Sequence, residues 1–249
     1  MKFLILLFLA IHLIFQSSYA DSGDDIAKLY FRAFSWGSDI KDIYYQDIHG
    51  KEKKLHLYID KISEEYYYEG PYRLSFYQKE KDGKKRILSH VKFKKELSDQ
   101  LILFFHNKSG KNLKNLVYGN SKKGFPKGSL RLYNFTKKNI AMKLGDQIIA
   151  VSPLKSKVIH YLKNRGEDPL EFSNLYDSNT PMAMNIGVES SKDHWSSTFR
   201  SSWPRKPDAR THFFIFPIGN ERYRFHHLFE LNSLYWKEKK NLQSELNKK

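Results

Sequence analysis

Arg73-Leu-Ser-Phe-Tyr-Gln78 and Arg86-Ile-Leu-Ser-His-Val91 flank the tetrapeptide Lys81-Asp82-Gly83-Lys84. Polar and apolar residues alternate in both flanking runs, which is typical of a β-strand with one face on a core. Asp-Gly between two such runs is a strong hairpin signal, because both central residues of the tight turn need a positive φ. The stretch therefore predicts a β-hairpin.

Further strand and turn patterns occur on both sides of this hairpin. Gly145-Asp146 separates Ile140–Leu144 from Gln147–Val151 and predicts a second hairpin. Gln100-Leu-Ile-Leu-Phe-Phe-His106 is continuously apolar, as a strand buried on both faces would be. Turn signals recur about every 8–12 residues and no βαβ spacing occurs, so we expect an all-β protein with sandwich-type sheets.

The chain divides most naturally at the Lys/Gly/Pro-rich stretch Asn120–Gly128. Division there gives two Ig-like β-sandwich domains, residues 21–122 and 123–230, each of about 100 residues, which is enough for its own core. A single larger domain is the alternative, since all-β domains can exceed about 200 residues. Residues 231–249 predict a short basic amphipathic helix, with apolar side chains near one helical face.

The N-terminal 20 residues have the order of a cleavable secretory signal. Lys2 forms a positive n-region, Phe3–Phe15 is almost wholly apolar, and Ser18-Tyr19-Ala20 supplies small residues at the cleavage site. The apolar run is too short to cross a bilayer, which needs about 20 residues. We therefore expect export to the periplasm or cell envelope of a bacterium, with no transmembrane segment after cleavage; an uncleaved membrane anchor is the alternative.

The composition restricts the chemistry and suggests a partner. The chain has no Cys, which excludes thiol nucleophiles, disulfides and cysteine-ligated metals. Its 43 Lys and Arg exceed its 27 Asp and Glu, for a net charge of +16. An exported basic protein is attracted to acidic polysaccharide, anionic membrane surfaces or acidic wall polymers, although a basic composition also serves solubility alone. Nucleic acid is not expected as a partner, because export removes the chain from it.

Several short phrases resemble a family of exported bacterial all-β proteins. They are Phe34-Ser35-Trp36-Gly37, Phe125-Pro126-Lys127-Gly128-Ser129-Leu130-Arg131, Leu144-Gly145-Asp146-Gln147 and Ser202-Trp203-Pro204. The resemblance implies export and an Ig-like fold. The family has no assigned activity, so the resemblance implies no catalytic residue.

No catalytic, metal or cofactor constellation stands out in the sequence. His-Glu-x-x-His, Gly-x-Ser-x-Gly, Gly-x-Gly-x-x-Gly and P-loop motifs are all absent. We therefore predict no catalytic residue, no metal and no cofactor. A carbohydrate-active enzyme that uses carboxylates from separate strands is the alternative, and its densest candidates are Glu64, Glu65 and Glu69.

Two segments are candidate binding sites. The first contains Tyr66, Tyr67, Tyr68 and Tyr72. Consecutive strand residues point to opposite faces, so at least one ring should be exposed and able to stack on a sugar or anchor a protein. The alternative is an edge strand whose rings cover a loop.

The second segment surrounds Trp203 with basic residues: Arg200, Arg205, Lys206 and Arg210. This composition suits an anionic partner with a flat ring. The alternative is a solvated connecting loop whose Trp fills the core. Together, the patterns predict a non-catalytic binding or structural module for an envelope protein or an anionic glycan.

Overall fold

A computed structural model describes residues 26–107, 110–160, 181–191, 194–204, 209–219 and 222–230. These residues form sixteen β-strands and contain no helix. In chain order the strands are β1 (Ile26–Trp36), β2 (Ile40–Gln46), β3 (Glu52–Leu57), β4 (Tyr66–Pro71), β5 (Arg73–Lys79), β6 (Lys85–Lys92), β7 (Asp99–His106), β8 (Leu113–Gly119), β9 (Ser129–Asn134), β10 (Ile140–Leu144), β11 (Gln147–Val151), β12 (Ser156–His160), β13 (Met182–Ser191), β14 (His194–Trp203), β15 (Arg210–Pro217) and β16 (Tyr223–Phe229).

The strands assemble into four sheets of four strands each. Sheet 1 has the order β3-β2-β5-β6 and sheet 2 the order β4-β1-β7-β8. Sheet 3 has the order β12-β9-β15-β16 and sheet 4 the order β11-β10-β13-β14. Most neighbouring strands are antiparallel, but β1 pairs with β7, and β9 with β15, in parallel. Sheets 1 and 2 therefore come from the first half of the chain, and sheets 3 and 4 from the second.

Three apolar cores hold the sheets in a stack of four layers. One core lies between sheets 1 and 2 and includes Phe31, Tyr45 and Phe76. A second lies between sheets 3 and 4 and includes Met142 and Trp203. The third joins sheet 2 to sheet 3 through aromatic residues, which are Phe34, Trp36, Phe105, Tyr118, Tyr133, Phe135, Phe214 and Phe216. Sheets 1 and 4 consequently present the two outward faces of the stack.

The two halves repeat the same topology strand for strand. Substituting β9–β16 for β1–β8 in order converts sheet 2 into sheet 3 and sheet 1 into sheet 4, parallel pairs included. The repeat extends to irregularities: Leu88 in β6 and Thr198 in β14 are extra residues at corresponding points of the two hairpins. Corresponding backbone bonds also recur, such as Ser35 N–Tyr58 O at 2.9 Å and Asn134 N–Lys155 O at 3.0 Å.

Several sequence predictions can be compared with this fold. The all-β class is confirmed, and so are the hairpins at Gly83 and Gly145, both of which have a positive φ. The continuously apolar strand, β7, is central in sheet 2 and has a core on each face. The predicted signal at 1–20 and the predicted helix at 231–249 lie outside the described residues, so both stay predictions.

Candidate binding faces

The positive charge of the strands is concentrated on sheet 1. Its strands contain two acidic residues, Asp42 and Glu52, whereas the basic residues of the same four strands are Lys41, Lys53, Lys54, Arg73, Lys79, Lys85, Arg86 and Lys92. The strands of sheet 4 carry only Lys143 and Arg200 against Glu189. Along the sequence the excess of Lys and Arg is spread out, so this concentration arises from folding.

Two tyrosines and three lysines form the centre of the outward face of sheet 1. The rings of Tyr44 and Tyr77 are nearly parallel, with centroids 6.1 Å apart. The Nζ of Lys79 lies 4.8 Å and that of Lys54 5.9 Å from the Tyr44 centroid, and Lys85 Nζ lies 4.5 Å from that of Tyr77. A cation within about 6 Å of a ring is attracted by the ring quadrupole. We call these five residues the lysine–tyrosine face.

Two carboxylates anchor the lysine–tyrosine face. Lys79 Nζ lies 2.5 Å from Glu52 Oε1, and the Tyr77 hydroxyl donates to Glu52 Oε2 at 2.6 Å. These contacts lower the pKa of Glu52, while burial and then Glu52 raise the pKa of Tyr77. Lys54 Nζ lies 2.5 Å from Asp42, which raises the pKa of Lys54 and lowers that of Asp42. Asp42 and Glu52 therefore fix Lys54 and Lys79 in position, and Lys85 Nζ donates to Gln46 Oε1 at 3.1 Å.

An open cleft of about 620 Å³ adjoins the lysine–tyrosine face. Its lining is shared with the face at Lys79 and continues to the end of the β5–β6 hairpin; the lining residues are Asp42, Gln78, Lys79, Glu80, Lys81 and Arg86. Three cations and two carboxylates line it, so the cleft extends the basic surface rather than enclosing a small molecule.

The predicted tyrosine segment is split between core and surface. Tyr68 is buried, and its hydroxyl donates to Pro71 O at 2.8 Å. Tyr66 and Tyr72 are half-buried against the same core. Only Tyr67 is substantially exposed, at 40%, and its ring lies 5.3 Å from that of Tyr30. The alternation along β4 thus places one ring of the segment, on an edge strand, in contact with solvent.

The predicted basic segment is divided in the same way. Trp203 is buried in the core between sheets 3 and 4, so its ring fills the core, as the alternative expected. Arg210 is 6% exposed and lies at the junction of sheets 2 and 3. Arg200 is exposed on the outward face of sheet 4. Arg205 and Lys206 lie outside the described residues, and the binding role of the segment stays a prediction.

A buried charge network, which the sequence analysis missed, joins the two halves. Arg32 Nε lies 3.0 Å from Glu230 Oε1 without the alignment of a hydrogen bond, and Arg210 binds the same oxygen. Arg131 donates to Gly119 O, and His212 Nε2 lies 3.6 Å from Glu230 Oε2. We call these residues, Arg32, Arg131, Arg210, His212 and Glu230, the arginine cluster. No sequence signal marks it, because its members come from distant strands.

The ionisation of the arginine cluster follows from its burial and its pairing. Burial alone would raise the pKa of Glu230, but His212, Arg210 and Arg32 hold that pKa at about 2. Burial lowers the pKa of His212 to about 4. A neutral His212 can accept a hydrogen bond at Nδ1 from the Tyr133 hydroxyl, 2.9 Å away. The cluster is buried between sheets 2 and 3, so we interpret it as a structural link between the two halves.

Two of the three carboxylates considered for catalysis pair with different cations. Glu69 Oε1 lies 3.0 Å from Lys28 Nζ, and Glu65 Oε2 lies 3.5 Å from Arg32. The hydrogen bond from Lys28 lowers the pKa of Glu69, which is opposite to the shift that a general acid requires. Within the described ranges there is no group of three or more His, Asp or Glu that could hold a metal ion, and no helix suited to spanning a membrane.

The chain matches no model of a known protein family, and a search of curated proteins gives no match. The resemblance to exported all-β proteins therefore rests on the short phrases quoted above.

Proposed function

We propose that this protein is a non-catalytic binding module of a bacterial envelope or periplasm, and that its lysine–tyrosine face binds an acidic polysaccharide. In this proposal each half of the chain is an Ig-like β-sandwich domain, which the repeated topology and the separate cores support. The signal-like sequence at 1–20 supports export.

The observation that carries the proposal is the charge of sheet 1. Eight of the ten charged side chains on its strands are basic, and three lysines are held over two stacked rings. A surface of one sign attracts a polymer of the opposite sign, and ordered cations lose less side-chain entropy on binding. An open sheet face also suits an extended chain, because outward side chains repeat along its strands.

The test is the affinity of the full chain for polygalacturonate, a linear acidic polysaccharide, measured at several salt concentrations. A K54Q/K79Q/K85Q variant removes the three cations of the lysine–tyrosine face. A K122Q/K123Q/K127Q variant removes the same charge from the connection between the two halves, where these lysines are exposed. We expect the first variant to bind about ten-fold more weakly and the second about as tightly as the wild type, because three contacts of ~0.5 kcal/mol each add to about 1.5 kcal/mol, which is close to the ~1.4 kcal/mol of a ten-fold change.

Two results would overturn the proposal. Equal weakening of both variants would mean that only net charge matters and that the lysine–tyrosine face is not a site. Binding that is unaffected by salt would exclude an electrostatic site of this kind, since exposed charge pairs are screened at ionic strengths above about 0.1 M.

A further inference from the structure

The outward face of sheet 4 carries an exposed tryptophan. Trp195 is 43% exposed, and its ring lies beside Gly187 of the neighbouring strand. A Cβ at Gly187 would be in ordinary van der Waals contact, at 3.8 Å, with Cβ and Cε3 of Trp195, so the indole lies against the neighbouring strand at this position. Small side chains continue the row of Gly187 across the sheet, with Ala141 on β10 and Ala150 on β11.

A β-bulge brings a cation onto the same face. Asn185 pairs with Arg200 and Gly187 with Ser197, so Thr198 is the extra residue between them. In a regular strand without this bulge, Arg200, three residues after Ser197, would lie on the opposite face from Ser197 and Trp195. Bulges frequently re-aim a side chain in this way next to functional sites.

Arg200 is fixed there by a short polar chain. Its Nε donates to Ser197 Oγ at 3.3 Å, and Ser197 Oγ donates to Asn185 Oδ1 at 2.7 Å. Arg200 is exposed, and among the described residues no carboxylate forms an ion pair with it. A planar guanidinium is well matched to a carboxylate. Glu189, the acid of this face, is already bonded to Asn139 Nδ2 at 2.5 Å.

We infer that Trp195 and Arg200 form a second binding site, for a single uronic acid residue of an acidic polysaccharide. The sugar ring stacks on the indole of Trp195, and its carboxylate binds Arg200. This inference rests on the proposed function for the identity of the polymer. Because sheets 1 and 4 are the opposite outer layers of the stack, a chain with both sites binds two polymer strands and cross-links them.

The direct test is quenching of Trp195 emission in the full chain by tetragalacturonate, taken as the difference between the wild type and W195F. We expect R200Q to weaken this binding about ten-fold, as is typical of losing a charge-assisted contact, and R222Q to leave it unchanged. R222Q is the matched control, because Arg222 is exposed in the β15–β16 connection. Thermal unfolding of each variant checks that the fold is retained.

The second readout is light scattering from mixtures with polygalacturonate, which reports cross-linking. Wild type and R222Q should scatter strongly at intermediate ratios of protein to polymer, while W195A and R200Q should bind the polymer through sheet 1 but lose the scattering. Undiminished scattering by W195A and R200Q, or no quenching by tetragalacturonate, overturns the inference and leaves the proposed function standing. The K54Q/K79Q/K85Q variant separates the two proposals. If tetragalacturonate still quenches Trp195 in this variant and its affinity for the polymer is unchanged, the site at Trp195 is supported and binding at the lysine–tyrosine face is contradicted.

Two further probes separate a sugar site from a general anion site. Polyglutamate has carboxylates but no sugar ring, and anionic phosphatidylglycerol vesicles present a membrane surface. We expect neither to quench Trp195. Quenching by either one that equals the quenching by tetragalacturonate would overturn the assignment of a uronic acid.

Discussion

Glu230 is the residue on which the two halves of the molecule converge. Arg32 reaches it from sheet 2, and Arg210 and His212 reach it from sheet 3. Its side chain is 6% exposed, so the carboxylate depends on these partners rather than on water. Removing one member of a buried, paired group leaves the others uncompensated, which is far more costly than losing a surface pair.

E230Q should therefore lower the free energy of unfolding by about 3 kcal/mol. The amide keeps the shape of the side chain but leaves Arg32 and Arg210 buried without a counter-charge. Chemical denaturation at neutral pH measures the change. E80Q is the control, because Glu80 is about half exposed and lies 3.9 Å from Arg86, so its loss should change stability by less than about 0.5 kcal/mol. If the free energy of unfolding of E230Q equals that of the wild type, the arginine cluster does not stabilise the junction.

His212 should make the stability fall as the pH is lowered from neutral. Its pKa is about 4 in the folded protein, below the ordinary value of 6.5, so the unfolded chain takes up the proton first. Stability that is present above pH 6.5 is then lost as the pH falls towards 4, by up to about 3 kcal/mol. Glu230, with a pKa of about 2 against 4.5, extends the loss to lower pH.

Asp99 acts in the opposite sense and reduces this slope. Burial raises its pKa to about 6, so its charge disfavours the folded state above that pH.

The groups that face His212 are the Tyr133 hydroxyl, Glu230, and the guanidinium groups of Arg131 and Arg210. Between pH 7 and 4, the free energy of unfolding should change less with pH for H212Q than for the wild type, as measured by chemical denaturation at each pH. Parallel pH profiles would mean that His212 is not the group that titrates.

Strand β4 shows how one glycine allows an element to pack. Gly70 has a φ of +158°, and a Cβ there would lie 2.5 Å from the Tyr68 hydroxyl oxygen and 2.8 Å from its ring. The Tyr68 ring belongs to the core between sheets 1 and 2 and cannot move aside cheaply. The exposed face of β4, with Tyr67, depends on this inner packing.

G70A should destabilise the protein by about 2 kcal/mol, as overpacking of a core typically does. Chemical denaturation measures the effect, and tyrosine fluorescence reports displacement of Tyr68. G124A serves as the control, since the nearest atom to its Cβ would be Ser121 Oγ at an ordinary 3.4 Å. Equal stability of the two variants would show that β4 adjusts without strain.

The elements were predictable from the sequence to the extent that their signals are local. The turn at Asp82-Gly83 and the alternation around it lie within twenty residues, and the hairpin β5–β6 follows from them. The exposure of the Trp195 indole on the outward face of sheet 4 was not predictable. A bulge at Thr198 shifts the alternation of β14, so that Trp195 is exposed while Trp203, which basic residues and prolines make conspicuous, is buried.

At the scale of the whole molecule, the junction of sheets 2 and 3 makes the repeated halves one unit. Trp36 stacks on Phe216 with centroids 3.6 Å apart, and Phe34 lies 4.8 Å from Phe214. Arg32 and Arg131, at corresponding positions of β1 and β9, each reach the end of the last strand of the other half. Such pairing across long sequence separations leaves no local signal, which is why the junction was not predicted.

The halves should stay together after the connection between them is cut. A protease site inserted between the exposed residues Lys122 and Lys123 allows cleavage of the folded chain. We expect the two fragments to co-elute in size-exclusion chromatography, because the aromatic core and the arginine cluster remain in place. Adding E230Q should promote their separation. Fragments that separate from the otherwise unchanged protein would contradict a stable junction.

The most direct test of the proposed function is lysine footprinting of the full chain, in which acetylation with and without polygalacturonate is quantified by mass spectrometry. We expect strong protection at Lys54, Lys79 and Lys85, and unchanged reactivity at Lys122, Lys123 and Lys127. Protection spread evenly over both groups, or confined to the second, would contradict binding at the lysine–tyrosine face.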